Sequence, residues 1–202
     1  MRKTLPTLIL LSLLLLAAPA QAELETWKID TAHTSANFKV KHLLIATVRG
    51  QFTGITGTVK LDPEDLGKLE VDVTIDATTV DTGNEQRDRH LKTADFFDIK
   101  KHPTITFVSK KVEKKGDELK VSGDLTLNGV TRPVVLEVED ISEPVLNPAK
   151  WYSRAATAST VINRQDYGVS WNKTMDTGGA VVGDEVKIEI DIELNRKPEP
   201  KS

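Results

Sequence analysis

Residues 186–194 read Val-Lys-Ile-Glu-Ile-Asp-Ile-Glu-Leu, an alternation of apolar and charged side chains that runs without error over nine positions. Period two puts all the apolar groups on one face of an extended strand and all the charges on the other, an arrangement that a helix scatters around its axis. The chain must therefore build a sheet with one dry face and one wet face.

The same alternation recurs at 36–41, 69–76 and 119–127, and further strands are expected at 51–61, 104–112, 134–138 and 153–162. Asp62-Pro63, Lys115-Gly116-Asp117 and Asn128-Gly129 supply turn chemistry between them. About eight half-wet strands with short links predict an all-β, antiparallel sandwich or a closed barrel, and closure removes exposed edges. No linker or repeat interrupts residues 23–202, which read as a single domain.

One stretch breaks the pattern. Thr82 followed by Glu85 resembles a capping box, and Asp88 with Lys92 has the spacing of a helical ion pair, so a helix is expected near 83–93. Residues 143–152, with Pro144 and Pro148, read as a loop.

Residues 1–22 carry Arg2 and Lys3, an apolar run and Ala20-Gln21-Ala22, the pattern of a secretory signal peptide cut after Ala22. Export by such a leader, together with the absence of Cys and hence of any lipobox anchor or disulfide, points to the periplasm. Without the leader, 25 basic residues face 30 acidic ones. That balance argues against a nucleic-acid partner and against a polybasic membrane patch.

An eight-stranded barrel is either filled by its own side chains or holds one small ligand. Gly57 and Gly123 interrupt apolar rows, and residues 153–160 offer no large apolar side chain. Two readings stand side by side: an underfilled lumen, or glycines that mark bends in the wall.

Catalytic signatures are sparse. The four His show no zinc-type spacing, no G-x-S-x-G is present, and the Gly-rich residues 50–57 lack the spacing of a phosphate loop. No metal and no catalytic cofactor is expected. The polar groups Asn84, Arg87, Asp88 and His90 cluster on the expected helix, either to orient a ligand head group or to pin the helix over a barrel end.

Residues 82–107, TGNEQRDRHLKTADFFDIKKHPTITF, resemble the signature of the YceI-like proteins, exported lipocalin-like barrels that bind polyisoprenoid or other long-chain lipids. Residues 33–38, 41–43, 50–52, 123–133, 163–168 and 182–186 follow in the same order, with Tyr167 where the family often has Phe. The resemblance implies an extended antiparallel barrel enclosing an apolar chain, with the helix near its mouth. A long-chain lipid is then the partner, and transient contact with a membrane or membrane protein and a homodimer are further partner expectations.

Strand parity combined with the resemblance assigns Phe38, Val40, Phe52, Val73, Ile75, Phe107, Leu125 and Leu127 to the ligand-facing wall. Leu91, Phe96, Phe97 and Tyr167 join them as ligand-binding residues, and Asn84, Arg87, Asp88 and His90 form the polar mouth. The leading expectation is a non-enzymatic periplasmic lipid-binding protein. The alternatives are an enzyme using Asp88 and His90 as an acid–base pair on a bound lipid, and an interaction module whose barrel is fully packed.

Overall fold

A computed structural model describes residues 24–116, 118–175 and 178–198. The expected signal peptide, Asp117 of the second expected turn and the last four residues lie outside the described residues. Among those described, no helix is long and apolar enough to cross a membrane.

The strands are β1 (Glu25–Ile29), β2 (Ser35–His42), β3 (Ala46–Phe52), β4 (Ile55–Asp62), β5 (Asp65–Asp76), β6 (Thr104–Lys115), β7 (Glu118–Leu127), β8 (Val130–Glu139), β9 (Val145–Leu146), β10 (Tyr152–Asn163) and β11 (Val182–Arg196), with one helix, α1 (Glu85–Leu91), between β5 and β6. All pairings are antiparallel. The wall closes in the order β11, β1, β4, β5, β6, β7, β8, β10 and back to β11, an eight-stranded barrel. The expected strand number is thus the number that closes. The β2–β3 hairpin and the short β9 are additions at its edges.

The alternating segment 186–194, within β11, organises the closure. One edge of β11 pairs with β10 from Glu185 to Arg196. Its other edge is shared end to end: β2 takes Val182 to Asp191, and β1 takes Leu194 and Asn195. At the β1 end the wall continues directly into β4, where Trp27 pairs with Val59. At the β2 end it runs into β3, whose backbone pairs with the segment after β5 at an isolated bridge between Gln51 and Asp81 rather than along a strand. The two ends of the barrel are built differently for that reason.

The β1 end is plugged. Trp27, Val59, Leu61 and Leu194 form a buried cluster in which Trp27 has no exposed surface. Arg154 and Arg196 lie over the Trp27 ring at 5.5 and 5.1 Å, within reach of its π face. Arg154 also donates to the Ser142 carbonyl at 3.0 Å, and desolvation lowers its pKa.

Several local expectations need correction. The single strand expected at 51–61 is broken at Thr53 and Gly54, because the turn after β5 intrudes there. Thr79 Oγ1 accepts from Thr53 N at 3.1 Å, and Asp76 N donates to the Gly54 carbonyl at 3.0 Å. The expected loop at 143–152 contains β9, and Tyr152 begins β10. The helix is also shorter than expected. Its cap is Asn84, whose side chain accepts from Arg87 N, and no ion pair joins Asp88 to Lys92 among the described residues; the exposed i, i+4 pair is Glu85 with Arg89.

Gly57 and Gly123 serve the wall rather than the lumen. A Cβ on Gly57, at φ 144°, would collide with the Asp72 carbonyl of the neighbouring strand. A Cβ on Gly123 would stand 2.6 Å from the Phe107 ring, opposite the bulge between Ser109 and Lys111 in β6. Close approach and bending are what these glycines permit.

A candidate ligand cavity and its mouth

Successive side chains on a strand alternate between the faces of the sheet, so in a closed barrel every second residue points inward. Phe38 and Val40 on β2, Phe52 on β3, Val73 and Ile75 on β5, Phe107 on β6, and Leu125 and Leu127 on β7 all border one cavity of about 580 Å³. That volume lies within the range of roughly 300–1,000 Å³ usual for small-molecule sites. The lumen is therefore open, which contradicts the fully filled barrel even though both glycines sit at bends.

The mouth is built from the segment between β5 and β6. Leu91, Phe96 and Phe97 border the cavity, as do Asn84, Arg87 and His90. Two aromatic groups join this segment to the barrel. Phe52 lies 5.7 Å from Phe38 and 5.5 Å from Phe97, and His90 lies edge-on at 5.0 Å from both Phe96 and Trp171. Offset and edge-to-face aromatic contacts of this kind add stabilisation beyond the area they bury.

The polar mouth residues do not act as one unit. Asp88 lies outside the cavity lining; its carboxylate accepts from Thr82 N at 2.9 Å and from Thr82 Oγ1 at 2.5 Å. Arg87 donates from Nε to Thr82 Oγ1 at 2.7 Å and from Nη2 to the Thr82 carbonyl at 2.9 Å. Thr82, expected as the helix cap, is instead the hub that holds both side chains. His90 pairs elsewhere, with its Nε2 at 2.8 Å from Asp95 Oδ2. No Asp88–His90 acid–base pair is formed.

Tyr167 is also displaced from its expected place. It is buried, but it does not border the cavity. Gly168, at φ 70°, caps the 3-10 turn Arg164–Tyr167, and Asn128 Nδ2 donates to the Tyr167 carbonyl at 3.2 Å. Burial raises the phenol pKa, and the nearby Asp166 adds to the effect. The chain then turns so that Val169 and Trp171, neither foreseen, reach the cavity.

Arg164 fixes that turn. Only 4% exposed, its guanidinium donates to the carbonyls of Val169, Trp171 (3.0 Å), Gly183 (2.9 Å) and Val182 (3.4 Å), and to Asp184 Oδ1 at 3.2 Å. Desolvation lowers its pKa, with Asp184 opposing the shift. A buried charge with this many partners is a rigid clamp between β11 and the mouth segment.

One group of metal-ligating type lies outside the cavity, where Asp30, His33 and Glu193 have ligand atoms within 4.8 Å of one another. Its atoms already serve each other. His33 Nδ1 is 3.1 Å from Asp30 Oδ2, and Asp30 also accepts from Ala32 N and Asn195 Nδ2. The His33 hydrogen bond lowers the Asp30 pKa, and the same bond raises that of His33.

A closed antiparallel barrel with a mostly apolar lumen, one plugged end and a mouth of aromatic and polar side chains defines a small-molecule binding scaffold. The chain belongs to the YceI-like domain family, whose model matches residues 27–194. It is 43% identical over 145 residues to protein YceI of Escherichia coli O157:H7, covering 71% of this chain and 75% of the relative. The crystal structure of Burkholderia cenocepacia BcnA superposes with a TM-score of 0.71 at 25% identity, covering 82% of this chain and 98% of that one. A polyisoprenoid-binding domain from Saccharophagus degradans, implicated in plant cell wall breakdown, has the same fold, with a TM-score of 0.61 at 16% identity over 85% of this chain and 98% of its own.

Proposed function

We propose that this protein is a non-enzymatic, periplasmic binding protein that encloses a long apolar chain, of polyisoprenoid or isoprenoid-quinone type, in its barrel. The observation that carries the reading is the lumen itself: a cavity of about 580 Å³ walled by Phe, Leu, Ile and Val side chains from ten strands, every one except β9. Such a space, lined mostly by apolar side chains with polar groups of the α1 segment at its mouth, matches a ligand with a long apolar body and a small polar end. Membership of the YceI-like family, and the same barrel in a polyisoprenoid-binding domain, support that ligand class.

Energetics supports an enclosing role. Each CH2 group removed from water is worth roughly 0.8 kcal/mol, and a bilayer offers a similar gain. A barrel of this kind needs only to approach parity with the membrane for exchange to run in both directions. Binding without chemistry is supported by the separate engagements of Asp88 with Thr82 and of His90 with Asp95.

A lumen-filling substitution tests the reading. Val73→Trp places an indole where the chain is to lie, and the variant is expected to keep its barrel circular dichroism while losing retention of a fluorescent prenyl-chain probe. Undiminished retention by a folded V73W protein contradicts the proposal.

A further inference from the structure

The turn between β2 and β3 has a backbone that its residues do not favour. Ile45 N donates to the His42 carbonyl at 3.2 Å, closing a β-turn whose central residues, Leu43 and Leu44, have φ of 52° and 64°. Positive φ at both central positions is the type I′ pattern, which strongly prefers Asn-Gly. The molecule uses that preferred pair elsewhere: Asn128 and Gly129, between β7 and β8, have φ of 50° and 73°. Leucine in this region is an uncommon, strained choice.

The same tip is the most exposed apolar point described. Leu44 is 65% exposed and Ile45 84% exposed. Leu44 borders Gly179 together with Met175: a Cβ at Gly179 would lie 3.5 Å from Leu44 Cδ1 and 3.2 Å from Met175 Cε. The tip is held firmly, since Leu43 N donates to the Val181 carbonyl at 2.8 Å and His42 pairs with Val182.

We infer that the Leu43–Ile45 tip inserts into the surface of a lipid bilayer carrying anionic head groups and sets the cavity mouth against it. Two observations select that occupant. The hairpin is continuous with the lumen, because Val40, His42 and Val48 on its strands border the cavity, as does Val181, whose carbonyl accepts from Leu43 N in the turn. Basic side chains stand near the tip: Lys41, Arg49 and Lys173 are exposed and form no ion pair among the described residues, and the hairpin residues 37–52 contain no acid. Apolar side chains ringed by cations are the chemistry of an interfacial anchor. The inference rests on the lipid-enclosing reading and gives it a route for loading and release.

Co-sedimentation with protein-free vesicles of phosphatidylethanolamine and phosphatidylglycerol, against vesicles of phosphatidylcholine alone, tests it. The wild-type chain is expected to pellet preferentially with the anionic vesicles. The double substitution L43N/L44G restores the favoured turn pair, so it should raise the thermal midpoint while weakening vesicle partition about tenfold or more. R49Q/K173Q is expected to reduce the preference for anionic vesicles. Wild-type protein left in the supernatant, which would make a membrane protein the docking partner, overturns the inference, and so does undiminished pelleting of L43N/L44G. Native mass spectra of the same preparations read cavity contents separately. A lipid-free protein that pellets through its tip supports the tip inference and contradicts lipid enclosure.

Discussion

The Phe97 ring meets the Phe52 ring edge to face, 5.5 Å between centroids, and this contact joins the segment that carries α1 to the β3 wall. It lies where β3 and β4 do not pair, so a side-chain contact closes what the backbone leaves open.

Phe97→Ala is accordingly expected to loosen the mouth. Because Phe97 is only half-buried, the loss of stability should fall below the roughly 3–5 kcal/mol typical of a fully buried Phe. Release of a bound prenyl-chain probe, followed by stopped-flow fluorescence, should accelerate about tenfold, equivalent to about 1.4 kcal/mol in the barrier. An unchanged release rate in a folded F97A protein shows that the mouth opens elsewhere.

Gly123→Ala tests the close approach of Phe107. The added methyl has the Val108 carbonyl and the Phe107 ring in its way, so overpacking of about 1–3 kcal/mol is expected in urea denaturation. Relief of that clash drives the Phe107 ring toward the lumen, and probe capacity should fall with it. A stability equal to the wild type's would mean that the bulge opposite Gly123 absorbs the methyl.

Arg164→Met removes the donor shared by four carbonyls and one carboxylate. Leaving buried acceptors unpaired costs about 1–3 kcal/mol each where water cannot reach them, so a loss of roughly 3 kcal/mol or more is expected. Arg164→Lys should rescue little, because an ammonium cannot reproduce the guanidinium fork. Urea denaturation gives the stability, and the emission of Trp171 reports whether the mouth segment has moved.

The Asp30–His33 pair gives a pH signature. The folded His33 pKa is raised, so its contribution to stability is fully present below the ordinary histidine value near 6.5 and is lost as pH rises through the folded value. The folded Asp30 pKa is lowered, so its contribution is present above the ordinary value near 3.8 and is lost as pH falls through the folded value. The pair is therefore most effective between these two ordinary values. NMR titration should show His33 titrating above an unperturbed imidazole, and Asp30→Asn should return it toward 6.5. An unchanged His33 titration in D30N contradicts the pairing.

Strand parity made the lumen legible before any coordinates. The alternation at 69–76 and 119–127 faces Val73, Ile75, Leu125 and Leu127 inward, and Ile188 and Ile190 of the 186–194 alternation, absent from the expected wall, line the cavity beside them. Parity has nothing to say where the backbone is irregular. Trp171 reaches the cavity from a segment with no period, and Tyr167, outside the lining, ends a 3-10 turn capped by Gly168 at φ 70°, a local fold that a motif does not display. The helix cap was misplaced for a related reason. Thr82 and Asn84 both precede Glu85, and the hydrogen bonds of Arg87 and Asp88 claim Thr82 for the mouth, leaving Asn84 to cap.

Native mass spectrometry of the chain, expressed in its source organism and purified without detergent, tests lipid enclosure most directly. The account predicts a population heavier than the bare protein by the mass of one long-chain lipid, and depletion of that population in V73W. A wild-type spectrum showing only the bare protein would contradict it.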